Sequence, residues 1–287
     1  MYKFEPILKT LVWGSEKWVL SAVPGSESVV SEGPDKGRRI TDIYPGTFPI
    51  LVKFIDAKQD SSIQVHPGDE LAARRHNCSG KTEMWYVIRA EKGAKLLSGF
   101  SRQIGPEQYG ELVRRDEIVS VLASHDVSEG DVFFLPAGRV HAIGAGCYLA
   151  EIQQTSDITY RIYDYRRPGL DGKPRPLHTE LAKDAIDYTV YPDYRTHYTP
   201  CKDTEITLAD CPYFRTGLLE LDAPYLRSLS DCREFAVLIC MEGEGRVRSA
   251  ESSLCLRAGE TILAFASEGE LAIEPSASGM KLLTAVK

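Results

Sequence analysis

No apolar run in this sequence is long enough to cross a membrane. The longest, Phe235 to Met241, has seven residues, against the roughly 20 a spanning helix needs. No CxxC pair is present either. The seven cysteines are odd in number and scattered, which reads as thiols in a reducing compartment rather than a disulfide framework. The opening MYKFEPILKTLVWG carries Glu5 and Lys9 in its apolar part and no small-residue cleavage site, so it does not read as a signal peptide. The expected location is the cytoplasm. Basic charge is in short supply, with 34 Lys and Arg against 41 Asp and Glu, a net charge of −7. That balance argues against nucleic acid as a partner. Histidine is missing from residues 198–287: all six lie between His66 and His197, so any imidazole chemistry belongs to the earlier part.

What is present is a globular composition, 43% hydrophobic and 26% charged, which excludes a mainly disordered or fibrous chain. A length of 287 residues implies about two domains or one large all-β unit. Short β-branched or aromatic runs at 49–56, 61–67, 84–90, 131–137, 148–154, 234–241 and 260–266 are punctuated by Gly, Pro or Asp. They predict strands of a barrel or sandwich. Helical signals are few. Pro106 to Leu112 opens like a helix. Residues 117–125 carry apolar positions at helical spacing. Residues 177–188 read as a third helix, with Thr179 as its N-cap. The Pro- and Gly-rich 166–176 and the Tyr-rich 188–200 read as a connector. The expected domains are 1–187 and 188–287.

A faint repeat joins the halves. Aligning Gly130 with Gly259 sets Phe265 on Pro136, Ser267 on Gly138 and Glu270 on His141. The apolar pattern survives and the special residues are lost, so the second copy is expected to be chemically empty and free of metal.

The chemistry concentrates in three strings. Gln64 and His66 are two apart and share a strand face. Lys81, Glu83 and Trp85 share another. Gly130, Pro136, Gly138 and His141 fit G-x5-P-x-G-x2-H, the second motif of the cupin β-barrels. The first cupin motif would fall on Gln64, His66 and Glu83, with the Glu delayed by an insertion at 68–82. Together with ITYRIYDYRR (158–167) and Trp13-Gly14, these strings resemble type I mannose-6-phosphate isomerase in its short bacterial form.

The resemblance implies a mainly all-β double cupin, two jelly-roll barrels with short helical insertions. The first domain would be catalytic and the second degenerate. It implies one Zn²⁺ per chain on His66, Glu83 and His141, with Gln64 as a fourth ligand. A pair of imidazoles, a carboxylate and an amide oxygen suit such a borderline metal. It implies Arg161 and Lys81 as catalytic residues, and interconversion of D-mannose 6-phosphate and D-fructose 6-phosphate through a cis-enediol. The base at C2 is left between Lys81 and a metal-activated water. Arg166, Arg167 and Lys173 are expected to be solvated charges. No Gly-rich phosphate loop is evident, and Lys95, Ser98 and Arg102 are not assigned to that task. The partner is a small sugar phosphate, with no nucleic acid or membrane; monomer and homodimer both stay open. Two other classes compete. An iron-dependent cupin oxygenase would share the ligands but needs neither Lys81 nor Arg161. A non-catalytic sugar-phosphate-binding cupin would bind without turnover.

Overall fold

In the computed structural model, which describes residues 1–287, the predicted apolar runs become strands Ile50–Ala57, Ile63–Val65, Glu83–Ala90, Val132–Leu135, Cys147–Gln154, Phe235–Arg248 and Thr261–Phe265. The architecture is the double cupin. The chain divides into two compact units, one of Leu8–Lys17 with Lys53–Arg195, the other of Met1–Ile7, Trp18–Val52 and Thr196–Lys287.

A five-stranded sheet orders its strands Leu122–Asp126, Lys95–Phe100, His141–Ile143, Ile63–Val65 and Tyr160–Tyr163. A six-stranded sheet runs Val132–Leu135, Glu83–Ala90, Cys147–Gln154, Ile50–Ala57, Gly14–Leu20 and Ile7–Leu11. Side chains alternate across a strand, so each sheet commits one face to a shared core. Leu96 and Ile143 from the first sheet meet Ile55, Trp85, Phe133, Leu135 and Leu149 from the second. The outer face of the five-stranded sheet carries Ile63, Val65, Ala142 and Ile162. It is covered by Tyr109 and Leu112 of helix Pro106–Arg114 and by Ala182 of helix Thr179–Ala185.

The other unit is built on a seven-stranded sheet dominated by the long strands Phe235–Arg248 and Glu270–Val286. Its core is aliphatic, with Leu219, Leu238, Ile262, Leu271 and Leu282 fully buried. The repeat is visible in the geometry. Gly130 and Gly259 both take positive φ. Gly130 N–H donates to Val87 O and Gly259 N–H to Cys240 O. Strands Val132–Leu135 and Thr261–Phe265 follow these turns and pair with Glu83–Ala90 and Phe235–Arg248. The next strands begin at His141 and Glu270, at the same offset as the glycines.

Three local expectations change. Residues 117–125 form a single 3-10 turn, Ile118–Val121, and then strand Leu122–Asp126. The exposed edge of Lys95–Phe100 takes this backbone into a ladder, with Leu96 opposite His125. Sheet pairing outweighs a helical spacing that only four apolar residues support. Thr179 is the first helical residue and His178 takes the cap position. Helix Asp69–His76 lies inside the 68–82 insertion. It buries only Ala72, so no apolar stripe announced it.

Candidate metal centre

His141, on strand His141–Ile143, stands directly opposite Gln64 on the neighbouring strand. Gln64 in turn stands opposite Arg161, and Ser98 stands opposite His141 on its other side. Directly opposed residues of antiparallel strands project to one face. Ser98, His141, Gln64 and Arg161 therefore form one polar row across four strands. His66 follows strand Ile63–Val65, on the same face as Gln64. Glu83 enters from the facing sheet.

The three expected ligands converge. His66, Glu83 and His141 are all buried, with ligand atoms within 4.8 Å of one another. His66 Nε2 lies 3.6 Å from Glu83 Oε2, and His141 Nε2 lies 3.3 Å from Glu83 Oε1. The far side of each ring is tied to the backbone: His66 Nδ1 is 2.8 Å from Ile158 O, and His141 Nδ1 is 2.8 Å from Arg139 O. Those carbonyls can only accept, so each Nδ1 carries the proton and each Nε2 turns a lone pair inward. Both Glu83 oxygens are buried without a hydrogen-bond partner. The Lys81 ammonium lies 3.1 Å from Oε2 as an ion pair and 3.1 Å from His66 Nε2. A buried carboxylate facing two inward imidazole nitrogens fits a divalent cation, and the nitrogen and oxygen donors fit zinc. Gln64 Nε2 lies 3.3 Å from His141 Nε2. Its amide needs only a flip to present oxygen to the same point.

Burial sets the electrostatics. It is the largest cause holding His66 well below its ordinary value, with Lys81 and His141 adding to the effect. Burial likewise lowers His141 to about 4. Burial and the neighbouring Glu151 raise Glu83 to about 7. Both imidazoles are therefore neutral and ready to ligate. A cation held there would favour the ionised carboxylate.

Arg161 is half-buried. Its Nη1 donates to Pro176 O, and its Nε is buried without a partner. Its backbone N–H donates to His178 Nδ1. Beside it, Arg167 and Arg175 both bond the carboxylate of Asp164. These two arginines, with burial, lower the Arg161 pKa. Arg167 thus departs from the solvated charge expected of it. Arg166 pairs with Asp116 at the surface.

Several supporting residues escaped the motifs. Under the site, Trp85 Nε1 donates to Glu151 Oε2 at 2.7 Å, and Glu151 Oε1 lies 2.8 Å from Lys53 Nζ. Burial would raise Glu151, but Lys53 and Lys81 outweigh it and bring the acid to about 2. The signal was available: a lone charge in the middle of an apolar strand, in PILVKFID and YLAEIQQ. Gln154 bonds both Thr82 N and Asp69, which ties the insertion back and holds Lys81 at the site.

No protein-family model matches the chain. Mannose-6-phosphate isomerase ManA of Bacillus subtilis is 34% identical over 301 residues, covering 94% of this chain and 95% of that protein. Mannose-6-phosphate isomerase of Streptococcus mutans is 30% identical over 281 residues, covering 92% and 88%. The crystal structure of the mannose 6-phosphate isomerase from Bacillus subtilis superposes with a TM-score of 0.87 at 25% identity, over 100% of this chain and 99% of that one. A zinc-bound mannose 6-phosphate isomerase shares the fold with a TM-score of 0.77 at 15% identity, over 100% and 99%.

Proposed function

The chain belongs to the type I mannose-6-phosphate isomerases, and from that premise we propose that it interconverts D-mannose 6-phosphate and D-fructose 6-phosphate at the His66–Glu83–His141 centre. The observation that carries this reading is the buried triad, with the Glu83 carboxylate beside two inward imidazole nitrogens and all three ligand atoms within 4.8 Å of one another. The reaction moves a proton between C1 and C2 and passes through a cis-enediol. His66, Glu83 and His141 would hold the zinc, with Gln64 as fourth ligand. Bound there, the ion supplies Lewis-acid polarisation of the substrate carbonyl.

The remaining roles fall to the chain's own groups. Arg161 carries its charge on the same face as Gln64 and stays protonated through the cycle. It is suited to stabilising the negative charge that develops on the enediol oxygens. Lys81 is the candidate proton carrier, because its Nζ lies 3.1 Å from both His66 Nε2 and Glu83 Oε2. The phosphate would be drawn to the guanidinium groups of Arg161, Arg167 and Arg175, of which the last two share a single carboxylate, Asp164. Planar guanidinium groups match phosphate geometry. An oxygenase reading leaves these cations without a task. The residues of the second unit up to Lys287 would hold no metal. No helix is long and apolar enough to cross a membrane, and the seven cysteines are all free, which supports a cytoplasmic setting.

The test is a coupled assay for fructose 6-phosphate formed from mannose 6-phosphate, on metal-free protein with and without added Zn²⁺. Zinc-restored turnover is expected. Mannose 6-phosphate binding without turnover would leave the non-catalytic cupin in its place.

A further inference from the structure

The loop that delivers His141 is gripped from outside by the Tyr-rich segment. Gly138, at φ +92°, donates its N–H to His66 O and accepts from Asp187 N through its carbonyl. A Cβ on Gly138 would come within 3.0 Å of Ala185 O. The next residue, Arg139, offers its carbonyl to His141 Nδ1. Its side chain is buried, 7% exposed, with the guanidinium carbon 4.6 Å from the ring centroids of both Tyr191 and Tyr194. Tyr194 is itself pinned. Its hydroxyl donates to Phe100 O and accepts from Phe100 N and Tyr191 N. Its ring fills the notch left by Gly99, where a Cβ would lie 2.1 Å away.

We propose that the Tyr191–Arg139–Tyr194 stack positions the metal ligand His141: it immobilises the Arg139 carbonyl, which sets the tautomer and the direction of the imidazole. A largely buried cation against two aromatic rings, themselves edge to face with centroids 5.9 Å apart, is held by the ring quadrupoles. A planar guanidinium can lie against both rings while its N–H groups stay free to donate, which a compact ammonium or an aliphatic chain does not reproduce. An aliphatic residue would be the less costly choice for packing alone. The stack therefore trades folding stability for orientation of the carbonyl. Arg139, Tyr191 and Tyr194 are positioning residues and touch neither metal nor substrate.

This inference rests on His141 being a zinc ligand, so the experiment carries that control. Zinc affinity is measured by chelator competition on the full chain, alongside the visible spectrum of the cobalt-substituted protein and the Tm of the metal-free protein. His141→Ala is expected to abolish tight zinc binding; parent-like binding there would remove the ligand reading itself. Arg139→Met and Arg139→Lys are expected to weaken zinc about 10- to 100-fold, the usual scale for outer-shell partners of metal-bound histidine. Both should shift the cobalt spectrum, and Arg139→Met should leave the metal-free Tm level or higher. Tyr191→Ala should follow Arg139→Met. Unchanged zinc affinity and cobalt spectrum in both Arg139 variants would overturn the proposal. So would a fall in metal-free Tm large enough to account for the lost affinity.

Discussion

Gln64 and Arg161 face each other across the antiparallel ladder of strands Ile63–Val65 and Tyr160–Tyr163. One sits 3.3 Å from His141; the other carries a half-buried guanidinium. On the roles proposed above, this pairing would separate metal holding from charge stabilisation by a single strand spacing, so the two can be tested one at a time. Arg161→Ala is expected to keep its zinc and lose about 100- to 1,000-fold in kcat, the scale for losing one preorganised donor to a developing oxyanion. Zinc content and steady-state kinetics on the same preparation check this. A wild-type rate would end the catalytic role.

Zinc stoichiometry is expected to be one per chain. Residues 201–287 contain no histidine, and the position matching His141 is Glu270. Elemental analysis of dialysed protein checks the number. A second tightly held zinc that survives His141→Ala would contradict the metal-free reading of the second barrel.

Gly99 takes φ +74° and faces the Tyr194 ring. Gly99→Ala is expected to destabilise the fold by roughly 2–5 kcal/mol, combining backbone strain with overpacking. Urea unfolding of the metal-free protein reads this directly. A change below about 0.5 kcal/mol, the range of an unconstrained surface substitution, would show that the ring is free to move aside.

His178 accepts the Arg161 backbone N–H through Nδ1. Burial, then Arg161 and His76, lower its pKa from the ordinary imidazole value. A lowered pKa means the unfolded chain takes up the proton first. The contribution is therefore full above the unfolded value of about 6.5 and is lost as pH falls through the folded one. His178→Asn retains an acceptor that does not titrate in this range. Its Tm is expected to fall less than the parent's between pH 7 and pH 5. Parallel Tm profiles would assign the acid loss to other groups.

Legibility in the sequence followed the physics of each element. Strands of alternating or continuous apolar residues were readable because burial imposes their pattern. His66, Glu83 and His141 were singled out through the resemblance to the isomerases, and the fold brings the three together. Helix Asp69–His76 was not, since it buries one alanine. The row of Ser98, His141, Gln64 and Arg161 was not readable either. Strand register is a property of pairing, and a slip of one residue would turn each of them to the other face. The partners of Arg139 were hidden for a different reason. Tyr191 and Tyr194 lie some fifty residues downstream, in a stretch whose composition says only that it connects.

The matched turns at Gly130 and Gly259 amount to an experiment the molecule has already performed. The positive-φ glycine, the hairpin after it and the restart of the next strand persist in both copies. Proline, the second glycine and histidine persist in one. What recurs is the grammar of closing a barrel, and what differs is the vocabulary of holding an ion. The second copy is thus a natural blank for the first, against which the cost of each ligand can be read by restoring it.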